Sequence, residues 1–410
     1  MFEVGKIRQD FPFLMKAEQS VPQLVYLDNA ATTLKPQSVI DAVVRYYTES
    51  SVNIHRGDYA LSYEVSNAYE AVRKTVSRFI QCEANEVVFT SGASAALNLV
   101  AYGYAEKVLK LGDVILMSEA EHASNILPWF RVAEKTGAEI EYLPLDETGV
   151  LTLEGFKEAL HDKVKIVTLA HISNVLGSVV PIQQITKLTH EKGAIIVVDG
   201  AQSVPHTKTL VKDWDVDFLA FAGHKMLGPT GVGVLYGKFE HLVQMDPFLL
   251  GGGSNARFDK HGHVVLKNPP FKFEAGTPAI EGVLGLNVAI QYIEAIGLEA
   301  IERHELELKG YTIEKLKQFK HIKLYNEAAQ TGIIAFNVEG IPTQDVAAYL
   351  SSLGVMVRAG NHCAKLLSEV IHTQETVRAS INFYNTKAEM DIFIDALKDI
   401  TLAKCIDLIF

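Results

Sequence analysis

The sequence predicts an α/β fold with a mostly parallel sheet, followed by a second, smaller α/β unit. Three observations carry this reading. Short β-branched runs recur through the middle of the chain: EVVFT (86–90), DVILM (113–117), KIVTLA (165–170), AIIVVD (194–199) and DFLAFA (217–222). Amphipathic segments such as LTLEGFKEALHDK (151–163) and PIQQITKLTHEKGA (181–194) lie between them. Runs that are apolar throughout suit strands buried on both faces, as in parallel sheets covered by helices. The third observation is a shift in composition after about residue 250.

The elements follow in order. The segment 181–194 is a helix that ends near Gly193. The stretch 251–278 is rich in Gly and Pro and reads as an extended excursion containing a hairpin. A long helical stretch starts at Pro278, and then come an apolar run (332–338), a helix (343–354) and further alternation. The division expected is a large domain over 18–290 and a small one formed by 1–17 with 291–410.

Charge and cysteine usage narrow the function. With 38 Lys and Arg against 49 Asp and Glu, the net charge is −11, which argues against a broad nucleic-acid or anionic-membrane surface. Three cysteines, Cys82, Cys363 and Cys405, imply no disulfide framework and suit a reducing, cytoplasmic setting. The N-terminal MFEVGKIRQDFPFL has mixed charges and no apolar core, so no secretory signal is expected. No apolar run is long enough to suggest a membrane span. No metal-ligand set is expected either.

The chemistry-bearing residues cluster just after the strand runs, where ligands of open α/β sheets bind. Lys225 lies past a buried strand in AGHKMLGPTG (222–231). A lysine hemmed in by apolar residues has a lowered pKa and can form a Schiff base with an aldehyde. Asp199 ends the run before VDGAQS, 26 residues upstream, so neighbouring strand ends could present both groups to one ring. Pyridoxal phosphate needs such a carboxylate at its ring nitrogen. TSGAS (90–94) reads as a strand-to-helix turn whose amides, with Ser94, attract a phosphate. His122 follows another strand end and could stack on a ring or shuttle protons, and Asn174 follows a further one. Arg358, His362 and Cys363 share the short loop RAGNHCA, and positive charge beside a thiol favours its thiolate. Arg378 suits a substrate carboxylate. Each feature alone would fit an ordinary turn, cap or surface loop.

Taken in order, the motifs LDNAAT (27–32), NIHRG (53–57), EHASNILPW, HISNVLG, VDGAQS, GHKMLGPTG, FEAGTP and RAGNHCA carry a resemblance over most of the chain. It resembles the class V, fold-type I pyridoxal-phosphate enzymes, and among them the group II cysteine desulfurases of the SufS/selenocysteine lyase type. The resemblance implies a seven-stranded, mostly parallel sheet, a pyridoxal 5'-phosphate cofactor and L-cysteine, or L-selenocysteine, as substrate. It implies Lys225 as the Schiff-base lysine, Asp199 at the pyridinium, Gln202 at the ring oxygen and His122 on the ring. Ser94 and His224 would hold the phosphate, joined by Thr277 from a second subunit of a homodimer. Asn174 and Arg378 would fix the substrate carboxylate, with Arg358 and His55 nearby, and Cys363 would carry the sulfur as a persulfide. The 251–278 excursion and the compact RAGNHCA loop match group II, and a short loop would need a SufE-like or SufU-like acceptor to approach it, feeding iron–sulfur cluster assembly. Three positions depart from the family pattern: Ala222 stands for a serine, Asn361 for a histidine, and Ala93-Ser94 for paired threonines. Selenocysteine lyase and cysteine sulfinate desulfinase remain as alternative activities.

Overall fold

Alternation along each strand decides the architecture. In the computed structural model, which describes residues 2–406, Val114 and Leu116 pack into one hydrophobic core while Ile115 and Met117 pack into another. A strand that feeds two cores must be apolar at every position. Seven strands form the large sheet: β1 (Val87–Thr90), β2 (Val114–Met117), β3 (Glu139–Tyr142), β4 (Val164–Ala170), β5 (Ile195–Asp199), β6 (Phe218–Ala222) and β7 (Gly233–Gly237). Their order is β1-β7-β6-β5-β4-β2-β3, and only β7 runs against the others. The seven-stranded, mostly parallel sheet agrees with the expected fold. β3 is the strand the sequence did not announce; it is an edge strand, EIEY, with no buried position.

Helices cover both faces. One core takes Val65, Tyr69, Val72 and Val76 from α1 (Ala60–Ile80) and Ile185 from Ile182–Glu191; the other takes Leu97 and Val100 from α2 (Ala93–Val100) and Trp129 from Leu127–Thr136. The Gly-rich excursion contains the expected hairpin, β8 (Asn255–Phe258) with β9 (Val264–Leu266). The long helical stretch is two helices, α3 (Ile280–Ile296) and α4 (Leu298–Leu316), bent by 74° at Gly297. Gly297 has φ +91°, a conformation L side chains avoid, so the break falls there. No single described helix is long and apolar enough to cross a membrane.

A second sheet of four antiparallel strands has the order β10 (Ile322–Tyr325), β11 (Ile333–Val338), β13 (Thr376–Ser380), β12 (Arg358–Gly360). Its core joins Phe336 and Val377 to Phe393 and Leu397 of α5 (Lys387–Lys398). Thr386 and Glu389 form a capping box at the start of α5. The buried Glu389 carboxylate also pairs with Arg8 at 2.9 Å, tying the N-terminal segment to this sheet. Thr386→Ala removes one cap bond and is expected to cost about 1 kcal/mol. A lowered chemical-denaturation midpoint would show it; an unchanged one would mean the cap contributes nothing.

Candidate active site

Five loops converge past the carboxyl ends of the large sheet. β5 ends at Asp199, whose Oδ1 accepts a hydrogen bond from the Ala201 amide at 2.9 Å. β6 runs into the turn Gly223–Lys225. β1 leads through Gly92 into α2, β2 leads to His122, and β4 leads to Asn174. The small sheet supplies the opposite wall: Arg358 on β12, Arg378 on β13, and Cys363 in the loop between them. Ser94, His122, Asn174, Asp199, Gln202, His224, Lys225, Arg358, Cys363 and Arg378 all line one cavity of about 540 Å³. Ten of the sequence-selected residues are therefore brought together.

The floor makes a lysine easier to deprotonate. Burial lowers the Lys225 amine to about 8, partly offset by the Asp199 carboxylate. Burial, then Lys225 and Lys35, lower the His224 imidazole to about 4. The His224 backbone carbonyl, one peptide from Lys225, faces donors from the Thr33 amide at 3.0 Å, Thr32 Oγ1 at 3.0 Å and Lys35 Nζ at 2.9 Å. That clamp fixes the chain where the lysine springs from it. His122 is lowered by burial first and then by Lys225. Its Nδ1 accepts from the Ser124 amide at 3.1 Å, so the neutral ring carries its proton on Nε2.

The turn before α2 is an anion site by construction. No side chain caps α2, which leaves its first amides free, and Ser94 Oγ shares a 2.6 Å hydrogen bond with Ser124 Oγ beside them. A Cβ at Gly233 would lie 2.4 Å from the Gly92 Cα, so β7 passes against this turn only because residue 233 is glycine.

The cysteine loop is stiff and held from both sides. His362 (φ +50°) and Cys363 (φ +60°) are consecutive left-handed residues, a conformation that costs each a side-chain clash. Asn174 Nδ2 donates to the His362 carbonyl at 2.8 Å, and the Ala123 amide donates to the Cys363 carbonyl at 2.7 Å. The His362 ring, pushed down to about 3 mainly by burial, is neutral and sits 3.0 Å from the Thr376 oxygens. The Cys363 side chain is exposed. Gln202 Nε2 donates to the Ala30 carbonyl at 2.8 Å, which anchors the 27–32 segment beside the ring site.

Two selected residues do not line this cavity. His55 lies 3.4 Å from Glu70, and Thr277 Oγ1 accepts from Asn53 Nδ2 at 3.2 Å. His55 helps to line a separate cavity of about 340 Å³, and the 274–278 turn is pinned by a two-pronged Glu274–Arg73 pair at 2.7 and 2.9 Å. Sequence reasoning gave no role to Asp28, Glu121 or Lys35. Asp28 bonds both Arg358 and Arg378. Glu121, pushed up to about 8 by burial, accepts from Asn125 and from the Ala170 amide, each at 2.7 Å, and so braces the turn that carries His122. Only the repeated placement of polar residues after apolar runs could have pointed to Glu121. Nothing local marks Asp28.

The residues fit pyridoxal phosphate: a buried lysine whose amine is lowered to about 8, a carboxylate at a strand end, a neutral imidazole, and an uncapped helix start for the phosphate. A model of the aminotransferase class-V family matches residues 25–393. The chain is 43% identical to a probable cysteine desulfurase of Halalkalibacterium halodurans, over 96% of this chain and 97% of that protein. It is 40% identical to a cysteine desulfurase of Haloferax volcanii, covering 96% of each. Its fold superposes with a TM-score of 0.91 on the apo cysteine desulfurase of Thermococcus onnurineus (39% identity, 96% of this chain, 97% of that one). The cysteine desulfurase CsdA of Escherichia coli gives the same TM-score of 0.91 (33% identity, 100% and 99%).

Proposed function

Since the chain belongs to the aminotransferase class-V family, as a pyridoxal-phosphate-dependent cysteine desulfurase of the group II, CsdA/SufS-like kind, we propose that Cys363 takes the sulfur of L-cysteine as a persulfide and passes it to an acceptor protein for iron–sulfur cluster assembly. The observation that carries this reading is the exposed Cys363 thiol on the wall of the cavity whose floor holds Lys225.

Lys225, Asp199, Gln202, His122, Ser94 and His224 are proposed to hold the cofactor, which when bound supplies an electron sink for negative charge at the substrate α-carbon. Arg378 binds the substrate carboxylate with Asn174, whose carbonyl it already engages through Nη1 at 2.7 Å. Arg358 adds positive charge at the mouth. The neutral Lys225 amine accepts a proton inside the cavity, and the His122 Nε2–H donates one. Cys363 Sγ attacks the substrate sulfur: the S–S bond forms as the substrate C–S bond breaks, and the electron pair stays on carbon. Protonation of that carbon yields alanine.

Thr277 is proposed to act on the cavity of a second subunit in a homodimer, which its placement outside the cavity of its own chain supports. His55, expected near the entrance, lines a separate cavity in its own chain. The division into 18–290 and 1–17 plus 291–410 is likewise proposed, supported by the two separate sheets and by the Arg8–Glu389 pair. The stiff loop around Cys363 supports an acceptor of SufE-like or SufU-like type that brings its own thiol to the mouth. Three free cysteines suit a cytoplasmic setting.

The test is to incubate the holoenzyme with L-cysteine and follow alanine together with the mass of the Cys363 peptide, with and without candidate acceptors. One alanine and one added sulfur per site in the first turnover are expected, with continued turnover only when an acceptor is present. Alanine without sulfur on Cys363 would overturn the persulfide route.

A further inference from the structure

Ser94 Oγ and Ser124 Oγ lie 2.6 Å apart, and either can be the donor. The two serines come from loops that the sheet keeps apart. Ser94 follows β1 at one edge, whereas Ser124 follows β2, five places along the order β1-β7-β6-β5-β4-β2-β3. They meet because both loops turn over the carboxyl ends of the strands, and both line the active cavity. Two hydroxyls carry two protons, and their mutual bond uses one. Neither oxygen has another hydrogen-bond partner among the described residues, so one proton is left for a ligand.

The turn beside the pair says which ligand. The first amides of α2 are uncapped, and a phosphate has three terminal oxygens, more acceptor sites than the first turn of one helix fills. Side-chain donors are scarce at this turn. Ala93, the first residue of α2, has no hydroxyl. Nor has Ala222, which pairs with Gly233, the glycine packed on Gly92. Ser91 and Thr230 line the same cavity without a bond to the pair. The charged groups of the cavity sit on other elements: Asp199 on β5, Lys225 after β6, Arg358 and Arg378 on the small sheet. The pair therefore adds a donor and no charge. The backbone of Ser124 has a separate task, since its amide donates to His122 Nδ1.

We propose that Ser124 is a further cofactor-binding residue: its hydroxyl, joined to that of Ser94, forms one donor unit for the phosphate of pyridoxal phosphate and supplies from the β2 loop what Ala93 and Ala222 do not. This inference rests on the placing of that phosphate at the start of α2. One residue then serves both ends of the cofactor, with its amide orienting His122 and its hydroxyl holding the phosphate.

The test compares pyridoxal phosphate with pyridoxal, which lacks the phosphate, on the full-length chain stripped of cofactor. Absorbance titration gives both dissociation constants for wild type, Ser124→Ala and Ser94→Ala. A hydrogen bond to a charged group is the stronger kind, so Ser124→Ala should weaken pyridoxal phosphate at least about tenfold and leave pyridoxal within about twofold. Ser124→Gly gives the same comparison if Ser124→Ala does not fold. An unchanged preference for pyridoxal phosphate over pyridoxal would overturn the proposal, because the hydroxyl would be idle. An equal loss for both would overturn it too, in favour of a support for the fold or for His122. Ser94→Ala separates the two layers. If it also leaves the preference unchanged, the phosphate does not lie at the start of α2. If it lowers the preference and Ser124→Ala does not, only the role of Ser124 falls.

Discussion

Cys363→Ala is expected to lower alanine formation from L-cysteine at least about a thousandfold while the protein keeps its fold and its bound yellow cofactor. The side chain is exposed and the backbone around it is held through carbonyls, so removing the sulfur disturbs no packing. The loss then falls on chemistry alone. Alanine is small, and the left-handed conformation at 363 strains Cys and Ala alike. Steady-state alanine release with cofactor absorbance as the control measures this. Full retained activity would remove Cys363 from the reaction and leave a route in which sulfur departs without a protein thiol.

Lys225→Ala is expected to abolish the covalent cofactor absorbance and to lower kcat at least about 10³-fold. The wild-type lysine also predicts a pH dependence. Its ordinary value near 10.5 is lowered to about 8 because burial penalises the ammonium form. The neutral, nucleophilic fraction therefore grows as pH rises through about 8 and shrinks below it. Cofactor capture by the apo-protein, followed as growth of the yellow absorbance, should speed up over the same window. A rate independent of pH from 7 to 9 would show that the lysine is not the limiting nucleophile. Persistence of the covalent absorbance in Lys225→Ala would assign the attachment to another amine.

What the sequence makes legible is what is local. Asp199 and Lys225 each close an apolar run, and strands buried on both faces can be recognised residue by residue. Their neighbouring places in the sheet follow from a separation of 26 positions along the chain, one crossover. β3 escapes for the opposite reason: EIEY is charged at every second position because an edge strand has one side in water. Glu121 reads as a surface acid, and only the amides of Asn125 and Ala170 make it a buried one. The cross-strand placing of Arg358 and Arg378 needs a register that no propensity encodes. Thr277 and His55 were selected through family likeness, and one chain alone does not carry them to its own cavity.

The ion triad of Asp28 with Arg358 and Arg378 also puts a clock on biogenesis. The carboxylate leaves the ribosome early, and its two guanidinium partners follow 330 and 350 residues later. At roughly 5–20 residues per second, the wait is on the order of half a minute. In the last part of that interval the strands that hold Lys225 and Asp199 are already synthesised, but the wall that brings Cys363 and the arginines is not. A nascent chain can therefore own a cofactor floor before it owns the Cys363 thiol, and the sulfur transfer proposed for that thiol waits until translation is nearly done.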